Sequence, residues 1–222
     1  IFLLLCTLKI ISHIFYSIKI DWVGKSKNKS WQDVRLVFLL NHTSLFEYVY
    51  IAILPFSFLW RLSQNLCFPV ADITYDRFFI GRFLRMMGPQ VIRITRKRDN
   101  SWIDFLDQIN NQSIIIFAPE GRMKRKNGLD KFGKPMTVKS GTTDVLNLFS
   151  NDDLILVYSG GLEHVMPPGR NIPKIFKNLA VCLERIEIRK YLNEFKIEKK
   201  EVISKKISRN LEKRRDKYCP HI

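Results

Sequence analysis

The sequence predicts an α/β fold, a mostly parallel central sheet flanked by helices, in a chain of 222 residues. Three observations predict it. Short continuous apolar runs, VRLVFLL at 34–40, SIIIF at 113–117 and DLILVYSG at 153–160, read as strands buried on both faces. Stretches with helical periodicity separate them, as parallel crossover connections require. Polar clusters follow the first two runs at once, at 41–47 and 118–126, which is where an open α/β sheet presents its ligand-binding loops.

Residues 1–20 are apolar but interrupted by Lys9, His13 and Lys19. At ~1.5 Å per residue such a stretch just matches a bilayer core of roughly 30 Å. Lys9 near its middle favours a helix lying at the membrane interface over a clean span. Residues 1–22 are therefore expected to form an apolar membrane-associating helix; with no basic n-region and no small-residue cleavage pattern, they do not read as a signal peptide. Residues 23–33 read as a basic loop, 34–40 as a strand, and the polar cluster leads into a helix running through Trp60 towards Leu66. LCFPVA at 66–71 reads as a strand. FIGRFLRMM at 79–87 reads as a helix stopped by Gly88 and Pro89, and VIRIT at 91–95 as a strand.

SWIDFLDQIN at 101–110 has helical periodicity, with Ser101 as its expected cap and Asp104 three residues on. Residues 121–135 are basic, contain glycines and lack apolar periodicity, which marks a functional loop. A helix is expected over 137–149 and a strand over 153–160. LAVCLERI leads into IEIRKYL as a strand, and 201–216 reads as a basic amphipathic helix. The expected organisation is a helix at 1–22, one α/β domain at 23–183, and a basic C-terminal extension at 184–222 packed on the same domain.

The formal net charge of +16 favours anionic partners such as phosphorylated substrates, acidic carriers or an anionic membrane surface. It does not point to nucleic acid: Lys and Arg are not interleaved with aromatics along a strand pattern, and no zinc-ligand spacing occurs. The four cysteines are scattered, which fits a reducing compartment and excludes a sequence-local metal or redox motif.

Two clusters carry the chemistry. His42 directly follows a buried strand, and a neutral imidazole there can take a proton from a hydroxyl if a carboxylate fixes its tautomer. Glu47 is the nearest such group. Ser44 and Glu47 also form S-x-x-E before an apolar run, a capping box that accounts for both residues without catalysis. In the second cluster, FAPEGRMKR at 117–125, Arg122 offers a guanidinium suited to phosphate, and Lys124, Arg125 and Lys126 extend the positive field. TVKSG at 137–141 places Lys139 near a helix start, which also suits an anion.

These blocks, in this order, resemble the glycerolipid acyltransferase family that includes the 1-acylglycerol-3-phosphate acyltransferases. NHTSLFE matches N-H-x4-D, with Glu47 where the acid is usually Asp. FIGRFLRMMGPQVIRITR resembles the middle block, with Gly81 at its glycine and Arg96 at its basic position. FAPEGR matches F-P-E-G-x-R through Glu120, Gly121 and Arg122, with Ala118 inserted before the proline, and Lys139 and Gly141 match the later K-x-G.

The resemblance covers roughly residues 35–160 and implies a glycerolipid acyltransferase-like fold. It implies transfer of a fatty acyl group from acyl-CoA or acyl-ACP to a lysophospholipid hydroxyl, foremost that of 1-acylglycerol-3-phosphate, giving phosphatidic acid. His42 and Glu47 would form the catalytic pair, and Arg122, Glu120, Gly121, Arg96 and Lys139 would bind the acceptor. No metal or cofactor is implied, and the expected location is the cytoplasmic face of a membrane. Glycerol-3-phosphate or another lysophospholipid as acceptor, or a catalytically inactive membrane-peripheral protein of the same fold, are the alternatives.

Overall fold

Buried runs of branched aliphatic residues build the sheet. In the computed structural model, which describes residues 1–24, 30–95, 97, 99–170, 172–195 and 200–222, the strands are β1 (Tyr16–Trp22), β2 (Val34–Leu40), β3 (Leu66–Ala71), β4 (Gln90–Ile94), β5 (Ile114–Phe117), β6 (Asp153–Gly160) and β7 (Lys177–Glu187). Their order across the sheet is β1-β7-β6-β2-β5-β3-β4, and every neighbouring pair is parallel except β6 with β7. Part of the expected 23–33 loop (25–29), Arg96, and residues 196–199 of the expected C-terminal extension lie outside the described residues.

Strand alternation divides the core into two layers. Leu36, Phe38, Leu154 and Leu156 face one side, where α5 (Asn100–Asp107), α6 (Gly141–Leu148), α8 (Ile188–Asn193) and α9 (Lys200–Tyr218) bring Phe105, Val145, Tyr191 and Ile207. Val37, Ile155 and Val157 face the other. There α1 (Phe2–Phe15), a 3-10 helix (Glu47–Ile53), α2 (Phe56–Asn65) and α4 (Phe78–Met87) supply Leu5, Val49, Phe58 and Met87. Each such fully buried side chain contributes ~1.5–3 kcal/mol. Two one-turn helices, α3 (Asp72–Tyr75) and α7 (Leu162–Val165), complete the connections. The result is the mostly parallel α/β sheet flanked by helices that the sequence predicts.

Several elements differ from expectation. The N-terminal helix stops at Phe15, and Tyr16–Trp22 is an edge strand in parallel register with β7. The first twenty-two residues are therefore continuous with the sheet. Lys9 is not an exposed interfacial charge, since its ammonium donates to the carbonyls of Ala52 and Leu54 at the end of the 3-10 helix. A cation there meets the negative end of the helix dipole. The boundary expected at 183/184 falls inside β7, and Ile188–Asn193, expected as strand, is helix. Helix α5 is capped by Asp99, whose carboxylate accepts the Ser101 N–H at 3.1 Å; Ser101 is not the cap. The helix expected from 137 begins at Gly141; the segment before it is held by other elements, with the Val138 N–H donating to Glu212 Oε1 at 2.8 Å and the Lys139 N–H to the Pro119 carbonyl at 2.9 Å.

Gly81 shows why a glycine stands in the middle block. A Cβ built there would lie 1.9 Å from the carbonyl oxygen of Tyr75. Alanine normally stabilises a helix by about 1 kcal/mol over glycine, but this clash is with backbone and cannot be relieved by a rotamer. Gly81→Ala should therefore be destabilising by roughly 1–3 kcal/mol and lower Tm by several degrees. An unchanged or raised Tm in thermal unfolding would refute the close packing of α3 on α4.

Candidate active site

The site is assembled at the carboxyl ends of two neighbouring strands. β2 and β5 pair in parallel, with Val37 opposite Ile116 and Phe38 opposite Phe117, so the segments after Leu40 and Phe117 leave the sheet side by side. This is the rim where open α/β sheets place ligands. The first residue out, Asn41, takes a left-handed conformation at φ 67, which asparagine tolerates better than most residues. Its Nδ2 donates to the Ser159 carbonyl on β6 at 2.8 Å, and its Oδ1 accepts from Lys124 Nζ at 3.1 Å.

That sharp turn delivers His42. Its backbone is held on both sides by the second cluster: its N–H donates to Glu120 Oε2 at 2.8 Å, and its carbonyl accepts the Lys124 N–H at 2.7 Å. Its imidazole Nδ1 lies 2.9 Å from Glu47 Oε1, with both side chains largely buried. Glu47 opens the 3-10 helix, whose first turn carries it back over the histidine.

The S-x-x-E capping box does not form. Ser44 Oγ instead accepts the Phe46 N–H at 3.0 Å and donates to the Met166 carbonyl at 2.6 Å, pinning the loop after α7. The carboxylate is thereby left to the imidazole. A pair of this kind can hold a histidine in the Nδ1–H tautomer, leaving Nε2 as a base.

His42 and Glu47 line a cavity of about 560 Å³ between the sheet and the helical layer of α1, α2 and α4. That size is ordinary for a ligand pocket, roughly 300–1,000 Å³. Its lining is mostly apolar, with Leu5, Val37, Leu39, Phe58, Leu62 and Phe68 among it, while Lys97, Arg122 and Lys139 also border it. Burial and then the charge of Arg122 push the Lys139 ammonium below its usual pKa, as expected for two cations sharing one wall.

The remaining expected site residues are distributed unequally. Gly121 lines the cavity and takes φ +67, a turn that a side chain would strain. Arg122 lines it too, but its guanidinium is not free. It pairs with Asp130 and lies over the Phe132 ring at 4.8 Å. The Lys134 N–H, outweighing burial, together with Arg122 and the Phe132 N–H, holds the Asp130 carboxyl down to about 2. The loop 121–135 is thus a folded element hung on Asp130.

The resemblance implies Glu120 at the acceptor. Its carboxylate is fully buried, and both oxygens are spent on the His42 N–H and on Arg215 of α9. Asn41, Ser159 and Arg215 complete the support of His42 and were not anticipated. The asparagine directly after a buried strand was the only local signal for any of them. Among the described residues no group of three or more His, Cys, Asp or Glu is placed to hold a metal ion.

An α/β sheet with a histidine–carboxylate pair at its carboxyl rim is the class that fold and site define. Among solved structures, the chain is similar to the 1-acyl-sn-glycerophosphate (LPA) acyltransferase PlsC from Thermotoga maritima, with a TM-score of 0.54 and 14% sequence identity over 94% of this chain and 78% of that one. At that identity the likeness is one of fold. No family model and no curated protein matches the sequence.

Proposed function

We propose that this chain is an O-acyltransferase that moves a fatty acyl group from acyl-CoA or acyl-ACP to a hydroxyl of a lysophospholipid, foremost 1-acylglycerol-3-phosphate, giving phosphatidic acid. The observation that carries the reading is the His42–Glu47 pair lining an apolar cavity that is also bordered by Arg122 and Lys139. An amphiphile with an alkyl chain, a hydroxyl and a phosphate matches that sequence of surfaces. The PlsC-like fold is consistent with it.

In the proposed reaction neutral His42 takes the proton of the acceptor hydroxyl as its oxygen attacks the thioester carbonyl. The C–O bond forms, the carbonyl becomes tetrahedral, and its collapse breaks the C–S bond. The departing thiolate recovers the proton from the imidazolium, whose charge Glu47 has balanced meanwhile. No step is routed through a metal or cofactor. Arg122 and Lys139 bind the acceptor phosphate. Arg122 can do so through guanidinium donors that Asp130 does not occupy, since the group has five N–H bonds.

Membrane contact belongs to the same proposal. Among the described residues no helix is long and apolar enough to cross a membrane. α1 instead exposes Leu3, Ile10 and Ile14, and its ends touch Trp60 and Phe176, themselves more than half exposed. We place this apolar face on the cytoplasmic surface of a membrane, from which a lysophospholipid would enter.

The test is acyl transfer by purified protein with phosphorylated and unphosphorylated acceptors and with both CoA and ACP donors. Turnover should require a lysophospholipid, and Arg122→Ala should lower kcat/KM for phosphorylated acceptors by roughly 10–100-fold, the worth of a charge-assisted contact. No transfer to any acceptor would overturn the reading. An equal loss with acceptors lacking phosphate would remove Arg122 from phosphate binding.

A further inference from the structure

The C-terminal helix reaches the candidate base through two side chains. Arg215, near the end of α9, donates from Nη1 to Glu120 Oε1 at 2.6 Å and to the Met136 carbonyl at 3.0 Å. The other Glu120 oxygen accepts the His42 N–H. The ion pair is sealed, with Arg215 11% and Glu120 0% exposed at the side chain. The neighbouring Arg214 serves a different carboxylate. It pairs with Glu184 on β7 and donates to Asn210 at 2.8 Å. Two adjacent arginines thus dock one helix, and only one of them leads to the site.

We infer that Arg215 is a positioning residue for His42, acting through Glu120: the guanidinium fixes the carboxylate, and the carboxylate fixes the backbone N–H of the histidine. In its rate consequences the inference rests on the acyl-transfer reading; in its structural consequences it does not. The physical ground is that, among the described residues, Arg215 is the cation paired with the buried Glu120 carboxylate. Removing Arg215 leaves a carboxylate that must either protonate or turn towards water. Protonation weakens the bond that the Glu120 carboxyl accepts from the His42 N–H, and turning away breaks it; in either case one of the two backbone anchors of His42 loosens, and the imidazole shifts relative to Glu47 and the reacting hydroxyl. Displacements on the order of 1 Å at a reacting group cost about 100-fold in rate. Neither Arg215 nor Glu120 lines the cavity, so substrate affinity should change little.

The experiment compares Arg215→Met, Arg215→Lys and Arg214→Met in the full chain. Arg215→Met should lower kcat by roughly 10–100-fold with KM for donor and acceptor within about twofold. Arg215→Lys keeps a cation against Glu120 and should recover most of that loss. Arg214→Met breaks a comparable ion pair on the same helix, so it should lower Tm to a similar degree while leaving kcat within about twofold.

Imidazole nitrogen resonances of His42 supply a readout that needs no substrate. They should show the Nδ1–H form in the wild type and in Arg214→Met, and a mixture of tautomers in Arg215→Met. Equal loss of kcat in the two methionine variants, or an unperturbed His42 spectrum in Arg215→Met, would overturn the inference. Absence of acyl transfer in the wild type would sink the proposed function while the spectrum still decides on Arg215.

Discussion

His42→Ala is expected to lower kcat for acyl transfer by roughly 10²–10⁴-fold, the usual worth of a general base, with the fold retained. The retention follows from how the residue is held. Its anchors are backbone groups, the N–H on Glu120 and the carbonyl on Lys124, and an alanine keeps both. The imidazole itself sits at the cavity wall, so its loss opens space onto an existing cavity and creates no new void in the core. Initial-rate measurements with saturating donor and acceptor check the first part, and thermal unfolding the second. Unchanged turnover would remove His42 from the chemistry. A collapse of Tm would show that the side chain, not the backbone, holds the loop.

Glu47→Gln should be nearly as severe, with a loss of kcat of roughly 10²-fold or more, because an amide neither balances an imidazolium nor enforces one tautomer. Its volume is unchanged, so KM and Tm should barely move. Glu47→Asp is the informative companion. Shortening the side chain draws the carboxylate back by about 1.5 Å, which opens the present 2.9 Å contact with Nδ1 unless the 3-10 helix advances. A loss of about tenfold is expected, intermediate because the charge remains. Higher activity in Glu47→Asp than in the wild type would show that the longer acid is not fitted to this loop.

The strands were legible because strands buried on both faces are written as short unbroken apolar runs, and VRLVFLL and DLILVYSG correspond to β2 and β6 within a residue. β1 was not legible. No glycine or proline separates Phe15 from Tyr16, so a helix and a strand, both apolar, adjoin without punctuation. The start of α6 differs from the expectation for another reason: residues 137–139 follow the helical pattern, but contacts with α9 and Pro119, distant in sequence, hold them outside the helix.

At the site, the sequence alone determined that His42 and Arg122 leave the sheet just after strands, since that depends only on local apolar pattern and the polar residues that end it. Which group each residue meets was decided by tertiary structure. Ser44 and Glu47 carry a capping pattern, yet a carbonyl at Met166 draws the serine away and leaves the glutamate for the histidine. Glu120 and Arg122 are two residues apart, but one turns inward to hold His42 and the other lines the cavity while paired to Asp130. Arg214 and Arg215 are indistinguishable in sequence, and the turn of the helix sends them to carboxylates on different elements. Periodicity is a short-range property and can be read from neighbours. Ion pairing is fixed by which strands and helices lie side by side, here groups 78 and 95 positions apart along the chain, and only the folded sheet sets that adjacency.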